Sequence, residues 1–274
     1  MQNKADKFQQ LHLSGDAFVM ANAWNAGSAV LLEQAGFEAI GTTSAGMAYA
    51  HAVPDSSGEF GFDTAIEETR EIAAAVHIPV SMDGENAYAD TLQAVSGNMQ
   101  RIAASGVVGA SIEDFSGTRG DALYDIELAV ERVCAAVEAV ADLGYPFTLT
   151  ARAECFLIGQ EDALNESIKR VNRYREAGAD CLFVPGISDI ETIKILVNEV
   201  DGPINVVMGL AGAPISVAQL SDAGVARISI GGALARATFG LVRRAARQML
   251  DQGSFEFSNQ QIADAELCRL FAKD

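Results

Sequence analysis

Apolar runs of four or five residues alternate along the chain with longer segments whose apolar positions have helical spacing. The short runs predict strands at residues 18–21, 39–43, 79–83, 109–113, 147–151, 181–184, 204–207 and 227–230. The longer segments predict helices at residues 26–35, 62–75, 91–104, 125–141, 162–177, 190–199 and 215–223. Glycines shortly before several strands fit the position that follows a helix C-terminus; examples are Gly36, Gly106, Gly178 and Gly224.

This alternation of strands and helices predicts an α/β protein in which helices cover a parallel sheet. Closed on itself, the sheet would form a (β/α)₈ TIM barrel with extra C-terminal helices. An open doubly wound sheet is the alternative, but the segment Asn22-Ala23-Trp24-Asn25-Ala26-Gly27 lacks the glycine pattern that usually follows its first strand. No linker divides the chain, so we predict one barrel domain over residues 1–274, with an N-terminal helix at 1–16 and a helical extension at 254–274.

Charged residues follow the third, fourth and fifth predicted strands. Asp83 and Glu85 come after strand three, Glu113 and Asp114 close strand four, and Arg152 comes after strand five. The C-terminal ends of the strands meet at one face of such a barrel, where catalytic groups are found. Two carboxylates about 4 Å apart repel by roughly 4 kcal/mol at an effective dielectric constant of 20. Because a divalent cation would offset this repulsion, the pattern predicts a metal site at this face.

Net charge restricts the macromolecular partners. Lys and Arg number 19 against 37 Asp and Glu, which gives a formal net charge of −18. Binding to nucleic acid or to an anionic membrane is therefore not expected. Apolar runs are too short to cross a bilayer and the first residues lack the apolar stretch of a signal peptide, so we expect a cytoplasmic protein.

Cysteine, histidine and lysine positions restrict the chemistry. The four cysteines are widely spaced and the three histidines are isolated, which argues against a zinc site. A metal would therefore be held mainly by oxygen, which favours Mg²⁺ or Mn²⁺. No lysine lies at a predicted strand end, so Schiff-base catalysis is not expected.

Segments at the ends of the first five predicted strands resemble the isocitrate lyase/phosphoenolpyruvate mutase superfamily. They are Asn22-Ala23-Trp24, Gly41-Thr42-Thr43-Ser44-Ala45-Gly46, Asp83-Gly84-Glu85-Asn86-Ala87-Tyr88, Ser111-Ile112-Glu113-Asp114 and Thr150-Ala151-Arg152-Ala153-Glu154. Each motif is weak alone, but five in the same order are specific, and the resemblance covers essentially the whole chain. It implies a Mg²⁺-dependent enzyme, with Mn²⁺ as a substitute, that acts on a small carboxylate and forms a homodimer or homotetramer.

The resemblance also implies a metal site. Asp83 would coordinate Mg²⁺ directly, and Glu85 and Glu113 would reach it directly or through water. Glu85 stands where the family usually has aspartate. An α-oxo acid chelates Mg²⁺ through one carboxylate oxygen and the oxo oxygen, and the metal then stabilises the enolate that forms when a bond to carbon breaks.

Substrate contacts are implied by the same motifs. Ser44, with the backbone amides of Ala45 and Gly46, resembles a cradle for a substrate carboxylate. Arg152 resembles the arginine that pairs with the substrate anion, and Asp55 resembles the aspartate that closes over the site. The implied catalytic residues are Arg152, Asp55 and Glu113. The implied aromatic residues of the pocket are Trp24 and Tyr88.

The loop after strand four departs from the family pattern. Family lyases carry a Lys-(Lys/Arg)-Cys-Gly-His loop there, whereas residues 115–121 read Phe-Ser-Gly-Thr-Arg-Gly-Asp. Arg119 is a candidate to enter the barrel mouth when this loop closes. The leading hypothesis is cleavage of a carbon–carbon bond in an α-oxo or α-hydroxy carboxylate through an enolate. The alternatives are a phosphoenolpyruvate/phosphonopyruvate mutase or P–C bond hydrolase, and a catalytically silent barrel that binds an oxo acid.

Overall fold

The barrel is closed. The computed structural model describes residues 1–55, 57–117, 123–210 and 212–272. Its strands are all parallel and follow the chain order around the barrel, and pairing of the first strand with the eighth completes the circle. They are β1 (Phe18–Ala23), β2 (Ile40–Thr42), β3 (Val80–Met82), β4 (Gly109–Glu113), β5 (Thr148–Arg152), β6 (Cys181–Phe183), β7 (Ile204–Val207) and β8 (Arg227–Ser229). The predicted (β/α)₈ fold is therefore confirmed.

Helices surround the barrel over the described part of the chain. They are α1 (Gln2–Leu13), α2 (Ala26–Gln34), α3 (Ser44–Ala50), α4 (Phe62–Ala75), α5 (Leu92–Ala104), α6 (Ile126–Val140), α7 (Ala163–Glu176), α8 (Ile190–Glu199), α9 (Val217–Asp222), α10 (Ala233–Gln252) and α11 (Asp264–Leu270). Side-chain caps fix several starts, as where Asn25 and Ser28 cap α2 reciprocally. In the predicted C-terminal extension, a 3₁₀-helix at Glu256–Gln260 precedes α11.

The sequence pattern does not predict α3. This helix has seven residues, too few to show a helical period, and it follows directly on β2. The side chain of Thr43 starts it by accepting a hydrogen bond from the Gly46 amide at 3.3 Å. The segment interpreted as a substrate cradle is therefore the first turn of a helix.

Small and polar side chains line the axis of the barrel. Barrels of this type usually fill their interior with bulky branched residues. Here Gly41, Ser81, Ser111, Asn205 and Ser229 face a cavity that continues from the mouth into the barrel. The small side chains leave the space around the strand ends open, and this space is where the candidate site lies.

A buried arginine closes the bottom of this cavity. Arg227 on β8 is 2% exposed and donates to Asn205 Oδ1 at 2.9 Å and to Thr150 Oγ1 at 3.0 Å. Its Nη1 lies 3.0 Å from Nε2 of His12, a residue of α1. Burial and the nearby Arg227 lower the pKa of His12 to about 3. The imidazole is therefore neutral, and its Nδ1 donates to the Phe8 carbonyl at 2.8 Å while its Nε2 accepts from Arg227.

Helix α10 packs differently from the other long helices. Of its residues only Ala235 and Ala245 are buried. Large apolar side chains on the helix are exposed instead, including Phe239, Val242 and Leu250. Among the described residues, no helix combines the length and the apolar character needed to cross a membrane.

Candidate active site

A cavity of about 620 Å³ opens at the C-terminal ends of the strands. Ionisable side chains from the ends of β3, β4 and β5 form one side of it, and apolar side chains form much of the other. Of the residues with predicted roles, those that line the cavity are Ser44, Ala45, Asp55, Asp83, Glu85, Glu113 and Arg152. The structure thus brings together the three predicted metal ligands and the three predicted catalytic residues.

Arg152 lies at the centre of the ionisable side. Its Nη1 is 2.9 Å from Asp83 Oδ1 and 3.0 Å from Glu113 Oε2. Its Nη2 is 2.9 Å from Glu154 Oε1, and the guanidinium lies 5.1 Å from the centre of the Phe183 ring. Burial alone would lower the pKa of Arg152, but the surrounding carboxylates outweigh it and raise that pKa. Arg152 is therefore charged at any working pH.

Asp83 is held on both carboxylate oxygens. Oδ2 accepts from the backbone amide of Ser44 at 3.1 Å and from the Ser44 hydroxyl at 3.0 Å. Oδ1 faces Arg152, and Ser111 Oγ lies 3.4 Å from it. Gly84 lets β3 approach β4 here, because a side chain at that position would meet the Ser111 carbonyl at 2.4 Å. The helix start at Ser44 and the strand end at Asp83 are thus joined directly.

Negative charge exceeds positive charge around Arg152. Burial, and then the carboxylates of Asp83 and Asp55, raise the pKa of Glu85 to about 7. Burial is also the main cause that raises the pKa of Glu113 well above its usual range, although Arg152 opposes it. Burial and the neighbouring carboxylates thus disfavour the charged forms of Glu85 and Glu113, and a bound cation would oppose this effect.

The donor set fits Mg²⁺ better than a transition metal. Among the described residues, no three histidine, cysteine, aspartate or glutamate side chains are arranged to hold a metal by themselves. A zinc site would need such a cage, whereas Mg²⁺ usually binds one or two carboxylates and takes its other ligands from water and substrate. Asp83 is partly exposed and lines the cavity. Its neighbours Glu85 and Glu113 offer only carboxylate oxygens as ligands, and burial makes their charged forms unfavourable without a cation. The residues present therefore suit a magnesium ion at Asp83.

Comparison with known proteins gives the family. The family model described as phosphoenolpyruvate phosphomutase matches residues 8–250. The chain belongs to the isocitrate lyase/phosphoenolpyruvate mutase superfamily. This confirms the resemblance seen in the strand-end motifs.

Relatives within the superfamily differ in their named activities. A crystal structure of a proposed lyase/mutase from Burkholderia cenocepacia J2315 is 42% identical, with a TM-score of 0.95, over 99% of this chain and 96% of that one. The 2-methylisocitrate lyase of Salmonella typhimurium strain LT2 is 26% identical over 71% of this chain and 70% of its own. A phosphonopyruvate hydrolase, solved with oxalate and Mg²⁺, is 25% identical with a TM-score of 0.87 over 98% and 95% of the two chains.

Three residues with predicted roles do not line the cavity of this superfamily member. Trp24 packs beside Gly46, where an added side chain would meet the Trp24 Cβ at 2.9 Å. The Gly46 amide donates to Thr43 and does not face the cavity. Tyr88 packs on Phe62, with ring centres 5.4 Å apart. Arg119 lies in residues 118–122, outside the described part of the chain.

A second layer of buried residues supports the site, and its members are far apart in sequence. Asp114 accepts from Tyr174 Oη at 2.6 Å and from Arg170 Nη1 at 3.1 Å, both on α7. Its other oxygen accepts from the Glu154 amide at 2.9 Å. This network fixes Glu154, which in turn holds Arg152. The strand-end position of Asp114 points to the site, but nothing in the pattern of α7 singles out its partners.

The loop that carries Glu85 has an unusual backbone. Glu85, Ala87 and Tyr88 have φ angles of 45°, 61° and 49°, a region that costs a residue with a side chain roughly 1–2 kcal/mol. Two side chains hold this loop from outside. Asn98 on α5 donates to the carbonyls of Ala87 at 2.9 Å and Tyr88 at 3.2 Å. Buried Arg132 on α6 donates to the carbonyls at positions 86 and 89.

Removing the Asn98 side chain should loosen this loop. We expect Asn98→Ala to lower the free energy of unfolding by about 1–3 kcal/mol, because two carbonyls lose their donor. We also expect it to weaken the Mg²⁺-dependent rise in melting temperature, because Glu85 is no longer held. Urea unfolding and a Mg²⁺ titration would measure both effects, with Gln93→Ala on the exposed side of α5 as control. A normal Mg²⁺ response in Asn98→Ala would show that the loop does not depend on this contact.

Stability of the metal-free protein should fall as pH rises. The folded-state pKa of Glu85, about 7, lies above its ordinary value of 4.5. The stability that it contributes is therefore complete below pH 4.5 and is lost as pH rises through about 7, up to about 3 kcal/mol. Glu85→Gln should remove this loss, so the variant should gain stability over the wild type at pH 8 and gain little at pH 5.

Denaturation in EDTA at pH 5 and pH 8 measures this difference. Glu131→Gln, at an exposed position of α6, serves as control and should shift stability equally at both pH values. An equal shift in Glu85→Gln would contradict the assignment of the pH effect to this carboxyl.

Proposed function

We propose that the protein is a Mg²⁺-dependent enzyme that breaks a carbon–carbon bond in a small α-oxo or α-hydroxy carboxylate. The observation that carries the proposal is the cluster at the barrel mouth in which Asp83 and Glu113 contact Arg152 and Glu85 lies close to Asp83. Relatives named for lyase activity and for a complex with oxalate and Mg²⁺ support it. Oxalate has the two adjacent oxygen-bearing carbons that an α-oxo acid would present.

Asp83 would hold the metal directly, and Glu85 and Glu113 would reach it directly or through water. The bound Mg²⁺, or Mn²⁺ in its place, would supply a Lewis acid for the oxygen on which negative charge develops. Arg152 would act on the same charge from the other side. Its guanidinium is already fixed by three carboxylates, so it would not have to reorganise during the reaction.

Other groups at the cavity would orient substrate and exchange protons. Ser44 and Ala45 line the cavity at the start of α3, and we propose that they contact the substrate carboxylate. Asp55 lines it from the loop after α3, and we propose that this loop closes over the substrate and excludes water. When the carbon–carbon bond breaks, its electron pair remains on the enolate. The other fragment leaves as CO₂ or, after its hydroxyl gives up a proton, as a carbonyl compound, and the enolate must later take a proton on carbon. Asp55 and Glu113 are the carboxyl groups proposed to handle that proton.

Product analysis by NMR tests the proposed reaction. The purified protein and Mg²⁺ would be incubated with oxaloacetate, methylisocitrate, isocitrate, phosphonopyruvate and phosphoenolpyruvate, and followed by ¹H and ³¹P spectra. Release of pyruvate or glyoxylate that stops in EDTA is the expected result. Binding of these acids without turnover would instead favour the silent binding barrel.

Phosphorus–carbon chemistry is the second candidate. The family model carries the name of a phosphomutase, and one structural relative is a phosphonopyruvate hydrolase. Either reaction would use the same half of the site, because both would leave negative charge on an enolate oxygen. A change in the ³¹P spectrum of phosphonopyruvate or phosphoenolpyruvate would establish this candidate in place of the first.

Self-association is a further part of the proposal. We expect a dimer or tetramer in which another copy covers the exposed apolar side chains of α10, since such residues are costly to leave in water. Light scattering should then give a mass at least twice the 28.9 kDa of the chain. Val242→Asp, at a position 60% exposed, should reduce this mass, whereas Leu13→Asp on α1, 71% exposed, should not. A wild-type monomer at micromolar concentration would contradict the proposal.

A further inference from the structure

Apolar side chains line the part of the cavity formed by the segments that follow or end β4 to β7. We call this surface the apolar wall. It consists of Phe115, Leu157, Ile158, Phe183, Pro185 and Leu210. Three of them are large and unusually exposed for apolar residues, at 48% for Leu157, 36% for Ile158 and 42% for Leu210. Scattered exposed leucines need no explanation, but these three line one cavity, from the segments after β5 and β7.

The cavity is larger than the proposed reaction centre requires. Its volume of about 620 Å³ is in the range of pockets that enclose whole drug-sized ligands. Two adjacent oxygen-bearing carbons at Asp83 and Arg152 would occupy only the ionisable side. The remaining part of a substrate would therefore contact the apolar wall, whose Phe183 ring centre lies 5.1 Å from the Arg152 guanidinium.

Within the described part of the chain, the apolar wall has no cation available to a second carboxylate. Among the described residues that line the cavity, the basic side chains are Arg152 and Arg227. Arg152 already contacts three carboxylates, and Arg227 lies at the cavity floor with its three nitrogens bonded to neutral groups. Arg236 donates to the Gly209 carbonyl and does not line the cavity. A carboxylate placed against the apolar wall would lose hydration without gaining a partner.

We propose that the apolar wall binds a hydrocarbon substituent of the substrate. The substrate class is then an α-oxo or α-hydroxy acid whose carboxylate lies at the Asp83 side and which carries an alkyl or aryl substituent besides the groups that take part in bond cleavage. This inference rests on the proposed function, because that function places the oxygen-bearing end of the substrate.

Binding of a homologous series tests the apolar wall. Calorimetry with Mg²⁺ would compare pyruvate, 2-oxobutyrate, 2-oxopentanoate and 4-methyl-2-oxopentanoate with oxaloacetate and 2-oxoglutarate. Each added methylene should lower Kd by roughly fourfold, the value expected for burying one CH₂ group. 2-Oxopentanoate should therefore bind more tightly than 2-oxoglutarate, which has the same chain length and a second carboxylate.

Variants separate the wall from the metal side. The double variant Leu157→Ala with Leu210→Ala should flatten the dependence of Kd on chain length and leave the Kd of pyruvate unchanged. Leu13→Ala, on the distant helix α1, should change neither. A wild-type Kd that does not change with chain length, or tighter binding of the dicarboxylates, would overturn the proposal.

The same titrations distinguish failure of the wall from failure of the proposed function. If pyruvate binding requires Mg²⁺ and Asp83 but Kd does not change with chain length, only the proposed role of the apolar wall is rejected. Binding of the longer acids that ignores Mg²⁺ and Asp83 would reject the proposed function and keep the wall. Absence of binding by every acid would overturn both.

Discussion

Replacing Asp83 with asparagine should abolish the Mg²⁺-dependent rise in melting temperature and lower kcat by about 10³-fold or more. Asp83 is the proposed direct ligand, and loss of Lewis-acid stabilisation is worth several kcal/mol in the transition state. Asparagine keeps the shape of the side chain and one of its acceptors. The fold should therefore persist, because Arg152 retains its contacts with Glu113 and Glu154.

Thermal melting with and without Mg²⁺, and product formation on the acid that the NMR panel identifies, would measure these effects. Asp90→Asn is the matched control, since Asp90 is exposed a few residues further along the same segment. The control should behave as the wild type in both assays. A preserved Mg²⁺ response in Asp83→Asn would remove this residue from the metal site.

Substitution of Arg152 should produce the second large effect, and two variants separate its charge from its shape. Arg152→Met leaves three carboxylates without their cation. Removing one partner of a buried ion pair typically costs about 3–5 kcal/mol. The cost should be larger at pH 8 than at pH 5, because the carboxyl groups can take up protons at low pH. In this variant turnover should be undetectable.

Arg152→Lys keeps the charge but loses the planar set of donors that reaches Asp83, Glu113 and Glu154 together. We expect it to fold, to respond to Mg²⁺ and to lose about 10²–10³-fold in kcat, the typical cost of removing one group that stabilises an oxyanion. Arg173→Lys, which changes an exposed contact with Glu127, is the control. Wild-type kcat in Arg152→Lys would show that a single positive charge is enough and that the planar donor set of the guanidinium has no role in catalysis.

The barrel and the ionisable side of the site can be predicted from the sequence for one physical reason. Parallel strands place their C-terminal ends at one face, so charges after strands three, four and five must meet there. The strand-end positions of Asp83, Glu113 and Arg152 therefore place these residues at one face even when their contacts are unknown. Two carboxylates as close in sequence as Asp83 and Glu85 also require something that offsets their charge. The structure gives Asp83 an arginine and a serine, and leaves Glu85 with a pKa of about 7.

Features that depend on contacts between residues far apart in the chain cannot be predicted from the sequence in this way. The Ser44 amide donates to Asp83, 39 residues away, and Asp114 meets Tyr174 across 60 residues. Trp24 and Tyr88 follow the family motif, yet neither lines the cavity. Trp24 packs beside Gly46, and Tyr88 packs on Phe62 next to Glu85. The apolar wall takes one or two residues from each of four segments, which is too few in any segment to form a sequence pattern. A strand-end rule predicts which face a residue approaches, but not which neighbour its side chain selects.

A crystal grown with Mn²⁺ and oxalate would show whether a metal ion binds at Asp83, since Mn²⁺ can substitute for Mg²⁺ and is identified by its anomalous signal. We expect one ion roughly 2.1 Å from an Asp83 oxygen, bound by one oxygen from each oxalate carboxylate, with Arg152 beside the ligand. An ion elsewhere, or oxalate bound with no ion at Asp83, would rule out the proposed metal site.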